Sequence, residues 1–143
     1  METYAFRLRK GQDLRQEIQK FSKTNDIKAG VVLCGVGNLQ KAILRMADAS
    51  ITKTWEGTFE IVSITGTVEA NDCHLHIAIS DATGKTFGGH LKDGSIVGIT
   101  AEIIIQTING IEFKRVLDDT GYECLVVNEI EKKKFKAFTL TLV

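Results

Sequence analysis

Apolar positions recur along this chain with two periods, and the period of two dominates. Tyr4-Ala5-Phe6-Arg7-Leu8 alternates, and the runs Ala29–Val36, Lys41–Ala47, Thr58–Val68, His74–Ser80, Phe87–Leu91 and Ile96–Ile108 are alternating or rich in β-branched residues, the signature of strands. Phe113–Leu117 and Leu125–Val127 are expected to finish the core. Asn109-Gly110 lies between Ile96–Ile108 and Ile111–Val116 and predicts a two-residue hairpin turn. A helical period is found in Asp13–Lys23, where Leu14, Ile18 and Phe21 fall at i, i+4 and i+7 and Asp13 suits an N-cap after Gly11. Its polar side chains Arg15, Glu17 and Lys20 read as solvated surface. Many strands and one substantial helix predict an α+β fold: a largely antiparallel, mixed β-sheet with one main amphipathic helix packed on it. One domain is expected over residues 1–143, with its core at about 4–127 and a basic, then apolar tail at 128–143.

Composition narrows the class. At 143 residues the chain is long enough to close a core without staples. Eighteen basic and eighteen acidic residues cancel, which argues against a strongly basic nucleic-acid module. Cys34, Cys73 and Cys124 are odd in number, far apart and without CxxC spacing, so they read as reduced thiols of a cytoplasmic protein. Met1-Glu2-Thr3-Tyr4 has no secretory character, and no apolar stretch approaches the roughly 20 residues that span a bilayer. The run Glu131-Lys132-Lys133-Lys134-Phe135-Lys136 is read as a solvated segment. Phe138, Leu140 and Leu142 alternate after it, as in a late strand pairing within the protein or with a neighbouring subunit.

All three histidines fall within seventeen residues, at His74, His76 and His90. His74 and His76 are two apart in a strand-like run, so both imidazoles leave one face of a sheet. His90 follows a turn and a Gly-Gly pair, as if on the next strand. Three imidazoles on one ion leave a coordination position open and suit a divalent metal, zinc first. Spacing alone is equally compatible with ordinary half-buried histidines. Two carboxylates are candidate bases: Glu102, in the apolar strand Thr100-Ala101-Glu102-Ile103-Ile104-Ile105, and Glu60, in Gly57-Thr58-Phe59-Glu60-Ile61. An edge or interface position, where Glu102 faces water or pairs with a lysine, is the simpler account of it. Asp81 reads as a turn cap, Cys73 as a core thiol on the face opposite His74, and Gly35-Val36-Gly37 as tight-turn glycines. Neither a GxSxG elbow nor a phosphate-binding P-loop is present.

Several blocks, in this order, resemble the PPC domain (plants and prokaryotes conserved). They are Gly35-Val36-Gly37, Gly57 to Gly66, His74-Leu75-His76 through Ser80-Asp81, Gly88-Gly89-His90-Leu91, Thr100-Ala101-Glu102-Ile103 and Thr120-Gly121-Tyr122. The resemblance implies an α+β fold, a trimeric assembly and, in prokaryotic members, a metal held by the residues matching His74, His76 and His90. In plants the domain is joined to an AT-hook in nuclear DNA-binding proteins, and stand-alone prokaryotic members carry a DNA-binding label without an established activity. A chain without proline cannot contain the Arg-Gly-Arg-Pro core of an AT-hook. The expectation is therefore a homotrimeric, metal-binding module with a DNA-binding or regulatory role. The alternative is a zinc-dependent enzyme acting on a small molecule at the three histidines, with Glu102 or Glu60 as base.

Overall fold

The computed structural model describes residues 1–130; the basic run and the alternating end after it lie outside the described residues. Eight strands and one helix follow the order β1 (Thr3–Arg9), α1 (Leu14–Thr24), β2 (Gly30–Arg45), β3 (Thr52–Val68), β4 (Cys73–Ser80), β5 (Thr86–Leu91), β6 (Ile96–Thr107), β7 (Ile111–Leu117) and β8 (Glu123–Glu129). Six strands form one sheet in the order β1-β6-β2-β3-β4-β5, and β7 and β8 form a separate two-stranded sheet. Every pairing is antiparallel. The expected α+β class holds.

The helix forms where the period of 3.6 is found. The Asp13 carboxylate accepts from the Gln16 amide at 3.0 Å, satisfying a first-turn donor that has no partner within the helix. Leu14 and Ile18 are fully buried, each worth about 1.5–3 kcal/mol in removed apolar surface. Phe21 stacks on Phe6 of β1 at 4.1 Å between ring centroids. The polar face is less solvated than expected. Arg15 bridges Asp72 at 2.9 Å and Asp93 at 2.8 Å, clamping the helix to the turns that flank β4 and β6.

The long strands depart most from the sequence reading. Ala29–Val36 and Lys41–Ala47 are not two strands but parts of β2, which also pairs with β6 and β3 through register shifts near Cys34, Leu39 and Lys41. Gly35 and Gly37 therefore make no turn. A Cβ on Gly35 would stand 2.4 Å from Ile64 Cγ2, and one on Gly37 (φ +139°) would stand 2.1 Å from the Thr100 carbonyl oxygen. These glycines let strands approach closely inside the sheet.

Beyond its bulges β2 pairs with β5, Leu44 opposite Leu91 and Arg45 opposite His90. The strands β2-β3-β4-β5 thus close on themselves around Leu39, Leu44, Leu75, Ile79 and Leu91, all fully buried.

The Asn109-Gly110 turn forms, with Gly110 at φ +82°, but it joins no hairpin. The Ile108 amide donates to Ala29 and the Phe113 amide to Lys28, so the chain leaves the large sheet and β7 pairs with β8 instead. Phe113 is buried as expected, but Leu125 and Val127 are exposed and do not finish the core. Asp81 caps its turn, accepting from the Thr83 amide at 2.8 Å and the Lys85 amide at 3.1 Å.

Gly66 tests the close packing. At φ +154° its Cβ would stand 2.0 Å from the His74 carbonyl oxygen, whereas Gly110 has open space around it. Both positions strain an added side chain, but only one clashes. Gly66→Ala is expected to cost about 3 kcal/mol and Gly110→Ala about 1 kcal/mol in urea denaturation; equal costs would refute the steric argument.

Candidate metal centre

Alternation along β4 sends Cys73, Leu75, Ile77 and Ile79 into the core and leaves His74 and His76 on the other face. His76 lies opposite Thr65 of β3 on one side and opposite His90 of β5 on the other. Directly paired residues share a face, so His90 joins the other two. Each imidazole can offer a nitrogen such that all three lie within 4.8 Å of one another. The Nε2 atoms of His74 and His76 are 3.2 Å apart. Ligand nitrogens on a tetrahedral zinc are separated by about 3.3 Å, so this pair already has the spacing of one edge.

Burial and positive surroundings favour the neutral form of His74 and His90, the form that binds metal. Burial, then Arg45, the other two imidazoles and Lys92 push His90 down to about 4. Burial first, then His76, Arg115 and Arg45, also lowers His74. His90 Nδ1 is buried without a hydrogen-bond partner among the described residues, a costly arrangement that coordination or a donor would relieve. Cys73 stays outside the set, buried in the core with its thiol pushed up to about 11 by burial.

Basic side chains surround the cluster. Arg45 pairs across from His90, and its guanidinium carbon lies 5.7 Å from the centre of the Tyr122 ring. Arg115 of β7 donates to Thr67 Oγ1 at 2.5 Å, and Thr67 faces His74 across β3 and β4. A cleft of about 520 Å³ runs between the histidines and the β7–β8 hairpin, with Lys92 on its wall. The sequence reading missed all three cations. Arg45 closes an apolar strand and Arg115 sits in a short alternating one, and no local pattern marks either.

The two candidate bases are elsewhere. Glu102 is exposed on β6, opposite Arg7 and Val36, and two strands separate β6 from β4, a distance of about 14 Å at the usual strand spacing. Glu60 is exposed on β3 opposite Ser80, four residues along β4 from His76 and so about 13 Å away. The structure brings the three histidines together and neither carboxylate to them.

A closed antiparallel sheet with one helix and a three-histidine face defines the class of protein. The model of the Plants and Prokaryotes Conserved (PCC) domain, the PPC domain above, matches residues 1–109. The chain belongs to this family. It is 37% identical over 131 residues to the bifunctional protein GlmU of Synechococcus sp. (strain JA-3-3Ab), covering 91% of this chain and 21% of that protein. It is 28% identical over 109 residues to AT-hook motif nuclear-localized protein 2 of Arabidopsis thaliana, covering 70% and 32%. The chain thus spans about a fifth to a third of the length of these curated relatives. Among solved structures, a hypothetical protein of Salmonella enterica matches with a TM-score of 0.86 at 33% identity, covering 90% of this chain and 94% of the other. A metal-containing protein of Archaeoglobus fulgidus has the same fold, with a TM-score of 0.77 at 24% identity and coverage of 88% and 94%.

The lowered His90 predicts a pH dependence for the metal-free protein. Unfolded imidazole titrates near 6.5 and folded His90 at about 4, so between these values the unfolded chain binds the extra proton and stability rises with pH. In chelator, stability is expected to fall as pH drops from about 6.5 towards 4, by on the order of 1 kcal/mol after allowing for the half-exposed site. His90→Gln should flatten the profile. Urea midpoints against pH with the same slope in both proteins would refute this.

Proposed function

We propose that the protein is a homotrimeric, zinc-binding module of the PPC family with a regulatory role. The observation that carries the reading is the convergence of three imidazole nitrogens within 4.8 Å on one sheet face. The donor set supports zinc, since neutral imidazoles suit it better than calcium or magnesium, which prefer oxygen. Bound there, zinc would supply Lewis acidity at an open fourth position.

Assembly is supported by the sheet face away from the core. Leu33 and Val36 of β2, Val62 of β3 and Ile99 of β6 are between 51% and 71% exposed on three neighbouring strands. An apolar patch of this kind is characteristic of a contact surface. No helix among the described residues is long and apolar enough to cross a membrane, and three free thiols suit a reducing compartment, which supports the cytoplasm.

A zinc-dependent enzyme acting on a small molecule is the second reading, favoured by the cleft beside the histidines. Glu102 or Glu60 would act as its base only if assembly carried one of them to a neighbouring chain's cleft. DNA binding, implied by the family resemblance, is the role that zero net charge supports least.

Metal analysis of untagged protein should find close to one zinc per chain, and His90→Ala should weaken zinc affinity at least about tenfold. Less than about one tenth of an ion per chain, with stability unchanged in His90→Ala, would overturn the metal reading. Sedimentation should give a trimer, dissociated by Val36→Asp; a monomeric native protein would overturn the assembly.

A further inference from the structure

The cleft beside the histidines has an uncompensated charge. Arg15 lines one wall, but Asp72 and Asp93 neutralise it at 2.9 and 2.8 Å. Arg45, Lys92 and Arg115 line the cleft too, and none of them has an ion-pair partner among the described residues. Against these three cations the lining offers one further carboxylate, Glu123.

The hydrogen-bonding capacity is also unspent. Arg115 donates from one terminal nitrogen to Thr67, while its Nε is buried with no acceptor among the described residues. Arg45 meets the Tyr122 ring, a contact that uses the guanidinium rather than consuming an anion. A planar, multiply donating guanidinium with buried unpaired N–H is suited to a carboxylate or phosphate. At about 520 Å³ the cleft has the size of a small-molecule site, and His74 and His90 are part of its wall.

We propose that this cleft binds a small dianionic ligand through its carboxylate or phosphate oxygens, held by Arg45, Lys92 and Arg115 and directed at the three histidines. The inference rests on the metal reading only for its second half, in which a ligand oxygen takes the open position of the ion. Three neutral imidazoles leave a divalent ion's charge uncompensated, so an anion in the cleft answers both the metal and the cations. The β7–β8 hairpin is then a binding wall. It brings Arg115 and Tyr122 to a site whose histidines belong to the large sheet.

Titration calorimetry of the full chain with malonate and with inorganic phosphate, on zinc-loaded and on chelator-treated protein, tests this. At least one anion is expected to bind with a submillimolar dissociation constant. Arg115→Gln and Arg45→Gln should each weaken it at least about tenfold, with zinc affinity changed less than about threefold. Lys85→Gln, which removes a charge outside the cleft, should change nothing. Should Arg115→Gln fail to fold, Lys92→Gln carries the same test from an exposed position. Preference for malonate or for phosphate assigns the ligand to one source or the other. Anion binding that depends on the arginines in a chain that takes up no zinc when zinc is offered would keep this inference and remove the metal reading. Binding of neither anion more tightly than about 10 mM to zinc-loaded protein, or equal weakening by Lys85→Gln, would overturn the inference and leave the metal reading standing.

Discussion

The pairing of β5 on both its edges is the constraint from which the rest of the molecule follows. β5 bonds to β4 along most of its length and to the end of β2 at Leu91 and His90. That double pairing requires backbone to approach backbone more closely than side chains permit. A Cβ on Gly88 would stand 2.4 Å from the Ile77 carbonyl oxygen, and one on Gly89 would stand 2.7 Å from that of Arg45. The Gly88-Gly89-His90-Leu91 block is therefore one device. Its glycines permit closure, Leu91 fills the interior against Leu44, and His90 is left outside between His76 and Arg45. Core and site are set by the same four residues.

Closure also sets the electrostatics. It puts a guanidinium beside a histidine, and the β7–β8 hairpin adds a second near His74. Such neighbours oppose imidazolium and favour the neutral ring at His74 and His90, the form in which an imidazole could hold a cation. The same environment would oppose a cation bound there. The competition is resolved if the ion arrives with an anionic partner, since the cations then act on the anion and the imidazoles on the metal. Each half of such a site would answer a charge that the other leaves uncompensated.

The sequence showed what depends on local periodicity and concealed what depends on pairing. The helix was legible because Leu14, Ile18 and Phe21 repeat every turn, and His74 and His76 because alternation fixes their face whatever the neighbouring strands do. Asn109-Gly110 misled because a good turn specifies only reversal of direction; the amides of Ile108 and Phe113 bond to the segment before β2, and that long-range choice decides where β7 goes. Gly35-Val36-Gly37 misled for a related reason. Glycine serves a turn and a close strand approach equally well, and only Ile64 and Thr100, distant in sequence, distinguish them. Arg45, Lys92 and Arg115 became part of one cleft through closure and the placement of the hairpin, which no window of the sequence contains.

Glu102 shows how a charged residue in an apolar strand should be weighed. The run Thr100 to Ile105 looks buried on both faces, which would make a carboxylate there expensive and so suggestive of catalysis. The strand is in fact buried on one face: Ala101, Ile103 and Ile105 point into the core, and Glu102 points away from it. Across the sheet Glu102 is paired with Arg7 of β1, an opposite charge directly opposite on the same face, which stabilises a strand pair. Its other neighbour is Val36, part of the exposed apolar group that also includes Leu33, Val62 and Ile99. A carboxylate at the border of such a group matches the rim of a contact surface, where charge sets orientation and apolar side chains supply the area. The residue that resembled a base in the sequence is thus better explained by its exposed place on the outer face, between Arg7 and Val36, than by the β4 histidines three strands away.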